Sequence, residues 1–168
     1  MSYDLLIKDA RVCDGTGNPI VRGSVGVQAG KIVEVGEVSG LAKRTINADG
    51  LVLAPGFIDI HTHYDAQVSW DPLLTCSPWH GVTSVLMGNC GVGVAPCRPK
   101  EKDIVSWDLV NVEAMPQDVL LNGVAWDEWE SFPQYIDAIE KRGVGLNAGF
   151  LVPLSSFRYY VMGASASE

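Results

Sequence analysis

The chain has 168 residues, 47% of them hydrophobic and 19% charged, which is enough for a real core and too apolar for disorder. Twelve basic against twenty acidic residues leave a net charge of −8, which argues against nucleic acid or an anionic membrane as a partner. No apolar run approaches the about 20 residues of a membrane helix, and Met1-Ser2-Tyr3-Asp4 has neither the basic start nor the apolar stretch of an export signal, so a cytoplasmic protein is expected.

The first 50 residues predict a small β unit. Tyr3, Leu5 and Ile7 alternate imperfectly with Asp4, Leu6 and Lys8. Asp14-Gly15 and Gly17-Asn18 are turn signals. Val25 and Val27 alternate with Gly26 and Gln28, and Ile32 to Val35 follows, so a hairpin is expected with Ala29-Gly30-Lys31 near its tip.

The character changes at Asp49-Gly50. Leu51 to Ile60 is almost continuously apolar and is split by Pro55-Gly56. Phe57 to His61 is expected as a buried parallel strand covered on both faces, as are Val82 to Met87 and Gly145 to Val152. Between the strands the clearest helical pattern is Phe132, Tyr135, Ile136 and Ile139. Ser131 and Gln134 fit a capping box, Pro133 suits a first turn, and Gly143 after Lys141-Arg142 marks a stop. Glu101 to Val112 is a weaker helix or a loop, and the tail from Gly163 shows no periodicity. Strands alternating with helices predict an α/β fold with βαβ crossovers, divided into residues 1–50 and 51–168.

The residues that carry chemistry are Asp59-Ile60-His61-Thr62-His63, with Tyr64-Asp65 following. Residues two apart on a strand point the same way, so His61 and His63 can aim both imidazoles at one point, and functional groups of α/β folds gather at strand C-termini. Asp59 shares that face, and Asp59 and Asp65 are candidates to orient a histidine. Cys90, between Asn89 and Gly91 after the second apolar strand, is a candidate thiolate ligand for zinc. Cys13, Cys76 and Cys97 are expected as reduced, structural cysteines, and His80, before Gly81, as a helix-end residue. Arg158, just past the third strand, is a candidate partner for a substrate carboxylate.

Ala54-Pro55-Gly56-Phe57-Ile58-Asp59-Ile60-His61-Thr62-His63 resembles the signature of the amidohydrolase superfamily. Gly88-Asn89-Cys90-Gly91 after Gly81 to Val85, and the segment from Val152 to Gly163, resemble its N-acyl-D-amino-acid deacylase branch. The resemblance implies an N-terminal β-sandwich segment followed by a (β/α)8 TIM-type barrel, of which 168 residues accommodate about three β/α units. It also implies a hydrolase of amide bonds, Zn²⁺ held by His61, His63 and Cys90, and a small-molecule N-acyl amino acid as substrate. The branch's later zinc-binding histidines and its catalytic aspartate have no counterpart here, so the sequence resembles the N-terminal part of such an enzyme. The chain alone is expected to be inactive, and to self-associate or pair with a complementary C-terminal chain. A dihydropyrimidinase-like cyclic-amide hydrolase is the alternative within the superfamily, and a non-catalytic fragment the alternative outside catalysis.

Overall fold

The computed structural model describes residues 2–167, a mixed α/β chain of two compact units, one ending at Pro55 and the other starting at Gly56. The division falls at the Pro-Gly that splits the apolar run, downstream of Gly50.

The first unit is a five-stranded sheet of β1 (Ser2–Val12), β2 (Val21–Gln28), β3 (Lys31–Gly36), β4 (Leu41–Asn47) and β5 (Val52–Leu53). Strands run β3-β2-β1-β4, antiparallel between β1, β2 and β3, while β4 and β5 both pair β1 in parallel. The imperfect alternation in β1 has a structural cause. Ile7 faces Val25, but the next pair is Ala10 with Gly23, and Asp9 takes φ 62°. This bulge holds one extra residue. It brings Ile7, Ala10 and Val12 to a common cluster with Val25 and Ala48 despite their odd and even positions. The hairpin turns at Ala29 and Gly30, both with positive φ (50° and 74°), as a two-residue type I′ turn requires.

The second unit holds a parallel three-stranded sheet, β6 (Phe57–Asp59), β7 (Val82–Met87) and β8 (Asn147–Phe150), in that order. Among the described residues four α-helices accompany it: α1 (Lys102–Glu113), α2 (Gln117–Gly123), α3 (Phe132–Arg142) and α4 (Leu154–Met162). Helix α3 starts and stops where the sequence signals lie. Ser131 and Gln134 cap it reciprocally and Gly143 ends it. Its buried face carries Tyr135 and Ile139, with Tyr135 packed edge-on to Trp129 and Phe150. Helix α1 settles the Glu101–Val112 stretch as helix.

Four expectations are corrected. Strand β6 is not covered on both faces: Phe57 and Ile58, which point to opposite faces, are 68% and 70% exposed, as is Ile60 just beyond the strand at 70%, because little of the chain packs over either face there. The strand also stops at Asp59, short of His61. The first crossover, from β6 to β7, contains no α-helix among the described residues, only 3-10 turns at Gln67–Ser69 and Ser77–His80. Finally, the described residues from Leu154 on are helical, through α4 and the 3-10 turn Gly163–Ser167.

Candidate metal centre

His61 follows the last residues of β6, and Cys90 follows β7, so both lie beyond the C-terminal ends of adjacent parallel strands. His61 Nε2 is 3.2 Å from Cys90 Sγ. The His61 and His63 rings are 5.5 Å apart between centroids. One ligand atom from each of His61, His63 and Cys90 falls within 4.8 Å of the others. A tetrahedral zinc site with ordinary bond lengths spaces its N and S donors about 3.3–3.6 Å apart. The His61–Cys90 separation is close to that, and the widest spacing is about 1 Å beyond it. Two imidazoles and a thiol are a donor set suited to zinc. His63 Nδ1 is buried without a hydrogen-bond partner, an uncommon state for a polar atom. The residues present therefore fit a metal ion.

The backbone that presents Cys90 is itself unusual. Gly88, Cys90 and Gly91 all take positive φ (83°, 56° and 74°). Gly88 is required by contact as well as conformation, since a Cβ there would lie 2.1 Å from Leu151 O. Cys90, having a side chain, carries the strain of a left-handed residue, a feature common at functional sites. The thiol is exposed.

The two aspartates act on backbone. Asp59 Oδ1 accepts the His61 N–H at 3.1 Å and so sets the exit of the chain from β6. Asp65 is 3% exposed, and its Oδ2 accepts the Gly88 N–H at 3.2 Å. Neither carboxylate bonds an imidazole among the described residues, which corrects the expectation that they orient the rings. Burial pushes the Asp65 carboxyl up to about 7, against the opposing pull of Gly88 N–H, and the Glu113 charge adds to the rise.

Glu113, in the last turn of α1, was not legible as a site residue. Its Oε1 lies 3.8 Å from His63 Nε2, and nothing in the spacing of residues 63 and 113 connects them. In the sequence motifs Thr62 and Asn89 stand only as neighbours of the candidate ligands. Both turn out to bond across the site.

Arg158 sits on α4 and, with Cys90, Asp108 and Ser155, lines a cavity of 220 Å³. Its Nη2 donates to Ala166 O at 2.8 Å. His80 ends the 3-10 turn before Gly81, at φ 84°, and is exposed. All four cysteines are free. Cys97 is buried and Cys13 half-buried, whereas Cys76, expected as structural, is exposed. Burial raises the Cys97 thiol to about 12, with Glu101 and Glu130 adding to it. No helix among the described residues is long and apolar enough to cross a membrane.

A parallel sheet that brings a His-x-His pair and a thiol to one end defines a metal-site architecture, and comparison with known proteins places it. The Amidohydrolase family model matches residues 44–142, and the chain belongs to that family. It is 35% identical over 161 residues to the D-aminoacylase of Alcaligenes xylosoxydans xylosoxydans, covering 95% of this chain and 31% of that protein. The crystal structure of a D-aminoacylase superposes with a TM-score of 0.76 at 32% identity, over 95% of this chain and 31% of the other. An N-acyl-D-glutamate deacylase of Bordetella bronchiseptica, complexed with zinc and a phosphonate mimic of the tetrahedral intermediate, superposes with a TM-score of 0.77 at 30% identity. That match covers 96% of this chain and 32% of the other. The chain thus spans less than a third of the length of these relatives.

Proposed function

We propose that this chain carries part of a zinc-dependent hydrolase of amide bonds whose substrates are N-acyl-D-amino acids. In this reading β1–β5 are a β-sandwich segment, and β6, β7 and β8 are the first strands of a (β/α)8 barrel. The observation that carries it is the convergence of His61, His63 and Cys90 within 4.8 Å beyond the ends of adjacent parallel strands. The named relatives that deacylate N-acyl-D-amino acids support the substrate class, and the thiol favours it over a cyclic-amide hydrolase.

His61, His63 and Cys90 would hold the metal, the histidines as neutral imidazoles and the cysteine as thiolate. A zinc ion bound there supplies a water of lowered pKa and polarises the scissile carbonyl. Asp59, by accepting the His61 N–H, fixes the backbone from which the first imidazole projects. Glu113 beside His63 Nε2 adds negative charge that favours a cation at the site. Arg158 faces the cavity that Cys90 also lines, and its remaining N–H groups can take a substrate carboxylate.

Three donors are one fewer than a stable zinc site uses, so the chain is expected to bind zinc weakly, and these residues include no general base in the role the family's aspartate fills, so they are expected to be inactive alone. Zinc stoichiometry and affinity of the parent, His61→Ala, His63→Ala and Cys90→Ala test the assignment. Each substitution is expected to abolish stoichiometric binding. Binding that survives both His61→Ala and Cys90→Ala would overturn it, and turnover of an N-acyl-D-amino acid by the zinc-loaded chain alone would overturn the expected inactivity.

A further inference from the structure

The β6–β7 ladder ends at the pair Asp59–Val85, before the first histidine. Beyond it, the segments bearing His61 and His63 on one side and Cys90 on the other have no strand pairing to hold them together. A different set of bonds takes over. The Leu86 carbonyl, near the end of β7, accepts from Thr62 N–H at 3.1 Å and from Thr62 Oγ1 at 2.8 Å. It also accepts from Asn89 Nδ2 at 2.8 Å, and the same amide nitrogen donates to Thr62 O at 3.3 Å. An amide nitrogen has two hydrogens, so both acceptors can be served at once. Thr62, between the two histidines, is buried, and Asn89, beside Cys90, is half-buried.

We infer that Thr62 and Asn89 are positioning residues that set the spacing of the histidine pair against Cys90 without touching the metal; the inference rests on the metal-site reading above. The two side chains continue the work of the ladder where the ladder stops. Thr62 pins the midpoint of His61-Thr62-His63 to β7. Asn89 pins the left-handed turn carrying Cys90 to the same carbonyl and back to Thr62. Loss of either bond set leaves the three donor atoms on two loops whose separation is no longer fixed.

The test is cobalt and zinc binding by the 168-residue chain. Cobalt reports the thiolate through its charge-transfer absorption, and zinc affinity is read by competition with a chelating dye. The variants are Thr62→Val, Thr62→Ser, Asn89→Asp, Asn89→Ala and, as reference, Cys90→Ala. Thr62→Val keeps the shape and loses the hydroxyl, and Asn89→Asp keeps the shape and loses the donors. Both are expected to lose about 10–100-fold in affinity, the range typical of groups that orient metal ligands, with a weakened or shifted thiolate band. Thr62→Ser retains the hydroxyl and is expected to bind like the parent. Circular dichroism separates a local effect from unfolding, and if Thr62→Val does not fold, Asn89→Ala decides. A parent with a Cys90-dependent thiolate band, and with affinity and band unmoved in Thr62→Val, Asn89→Asp and Asn89→Ala, would overturn this inference and leave the metal site standing. A parent whose binding is indifferent to Cys90→Ala would instead overturn the metal-site reading and the inference with it.

Discussion

In the first unit Asp9 and Ala29 take φ of 62° and 50°, and in the second Cys90 takes 56°. The costs are of one kind, because left-handed backbone crowds Cβ against the carbonyl, yet the settings differ. The Asp9 N–H reaches Ser24 Oγ at 3.2 Å, and the Ala29 N–H reaches Asp4 Oδ2 at 2.6 Å. Each contact lies on a neighbouring strand, and each irregularity serves the sheet, as a bulge or a hairpin turn. The turn carrying Cys90 is instead anchored to the loop that follows β6, outside any strand pairing, through Gly88 N–H to Asp65 and Asn89 to Thr62. What it delivers is an exposed thiol 3.2 Å from an imidazole. Non-glycine residues at positive φ do not by themselves mark a site. A left-handed turn that is held outside the strand ladder and ends on an exposed reactive group does.

The largest expected difference between the units comes from Asp65. No carboxylate of the first unit is buried among the described residues, whereas Asp65 is, with its carboxyl raised to about 7. Between about pH 4 and 7 the unfolded chain releases this proton while the folded chain keeps it. Stability of the metal-free protein therefore falls as pH rises through that window, by about 1.4 kcal/mol per unit and on the order of 4 kcal/mol in all. Asp65→Asn keeps an oxygen to accept the Gly88 N–H and removes the titration. All five tryptophans lie beyond residue 56, so denaturant unfolding followed by their fluorescence reads the second unit. The variant is expected to gain on the parent steadily from pH 4 to 7, and equal pH slopes for the two proteins would contradict the account.

The second difference is in metal binding. Cys13 is half-buried in the first unit and Cys90 exposed in the second. Cys90→Ala is expected to lower zinc affinity by more than about 100-fold, beyond the range of groups that only orient ligands, and Cys13→Ala to leave it unchanged. Equal effects of the two substitutions, measured by dye competition, would erase the distinction between the units.

How much of this was legible in sequence follows from the range of the forces involved. Helix α3 and strand β7 were legible because cap, apolar spacing and stop for the one, and apolar run and glycine stop for the other, are local signals. His61, His63 and Cys90 were legible because period-two spacing and a strand-end glycine turn are also local. The exposure of β6 was not, because burial depends on what packs over a strand's faces, and little packs over Phe57 and Ile58. Helix α4 was missed because Leu154, Phe157, Val161 and Met162 are apolar yet exposed, so no apolar stripe separates from a polar one. Glu113 was invisible because it reaches His63 only through the packing of α1.

The smallest effect sharpens the comparison most. Ala29→Gly and Cys90→Gly each relieve a left-handed residue, a gain of about 1–2 kcal/mol. Each also adds the unfolded-chain freedom of glycine, a loss of about 0.5–1 kcal/mol. Both are therefore expected to stabilise the metal-free protein slightly, by about 0.5–1 kcal/mol. Their consequences then part. Ala29→Gly leaves zinc binding as it was, since the hairpin tip holds no ligand. Cys90→Gly removes the thiol while preserving the turn, and binding falls as far as in Cys90→Ala. Thermal unfolding and zinc titration of the two variants check both halves. A Cys90→Gly chain less stable than the metal-free parent would mean that the thiol packs for stability, and that the left-handed turn exists for the fold rather than for the site.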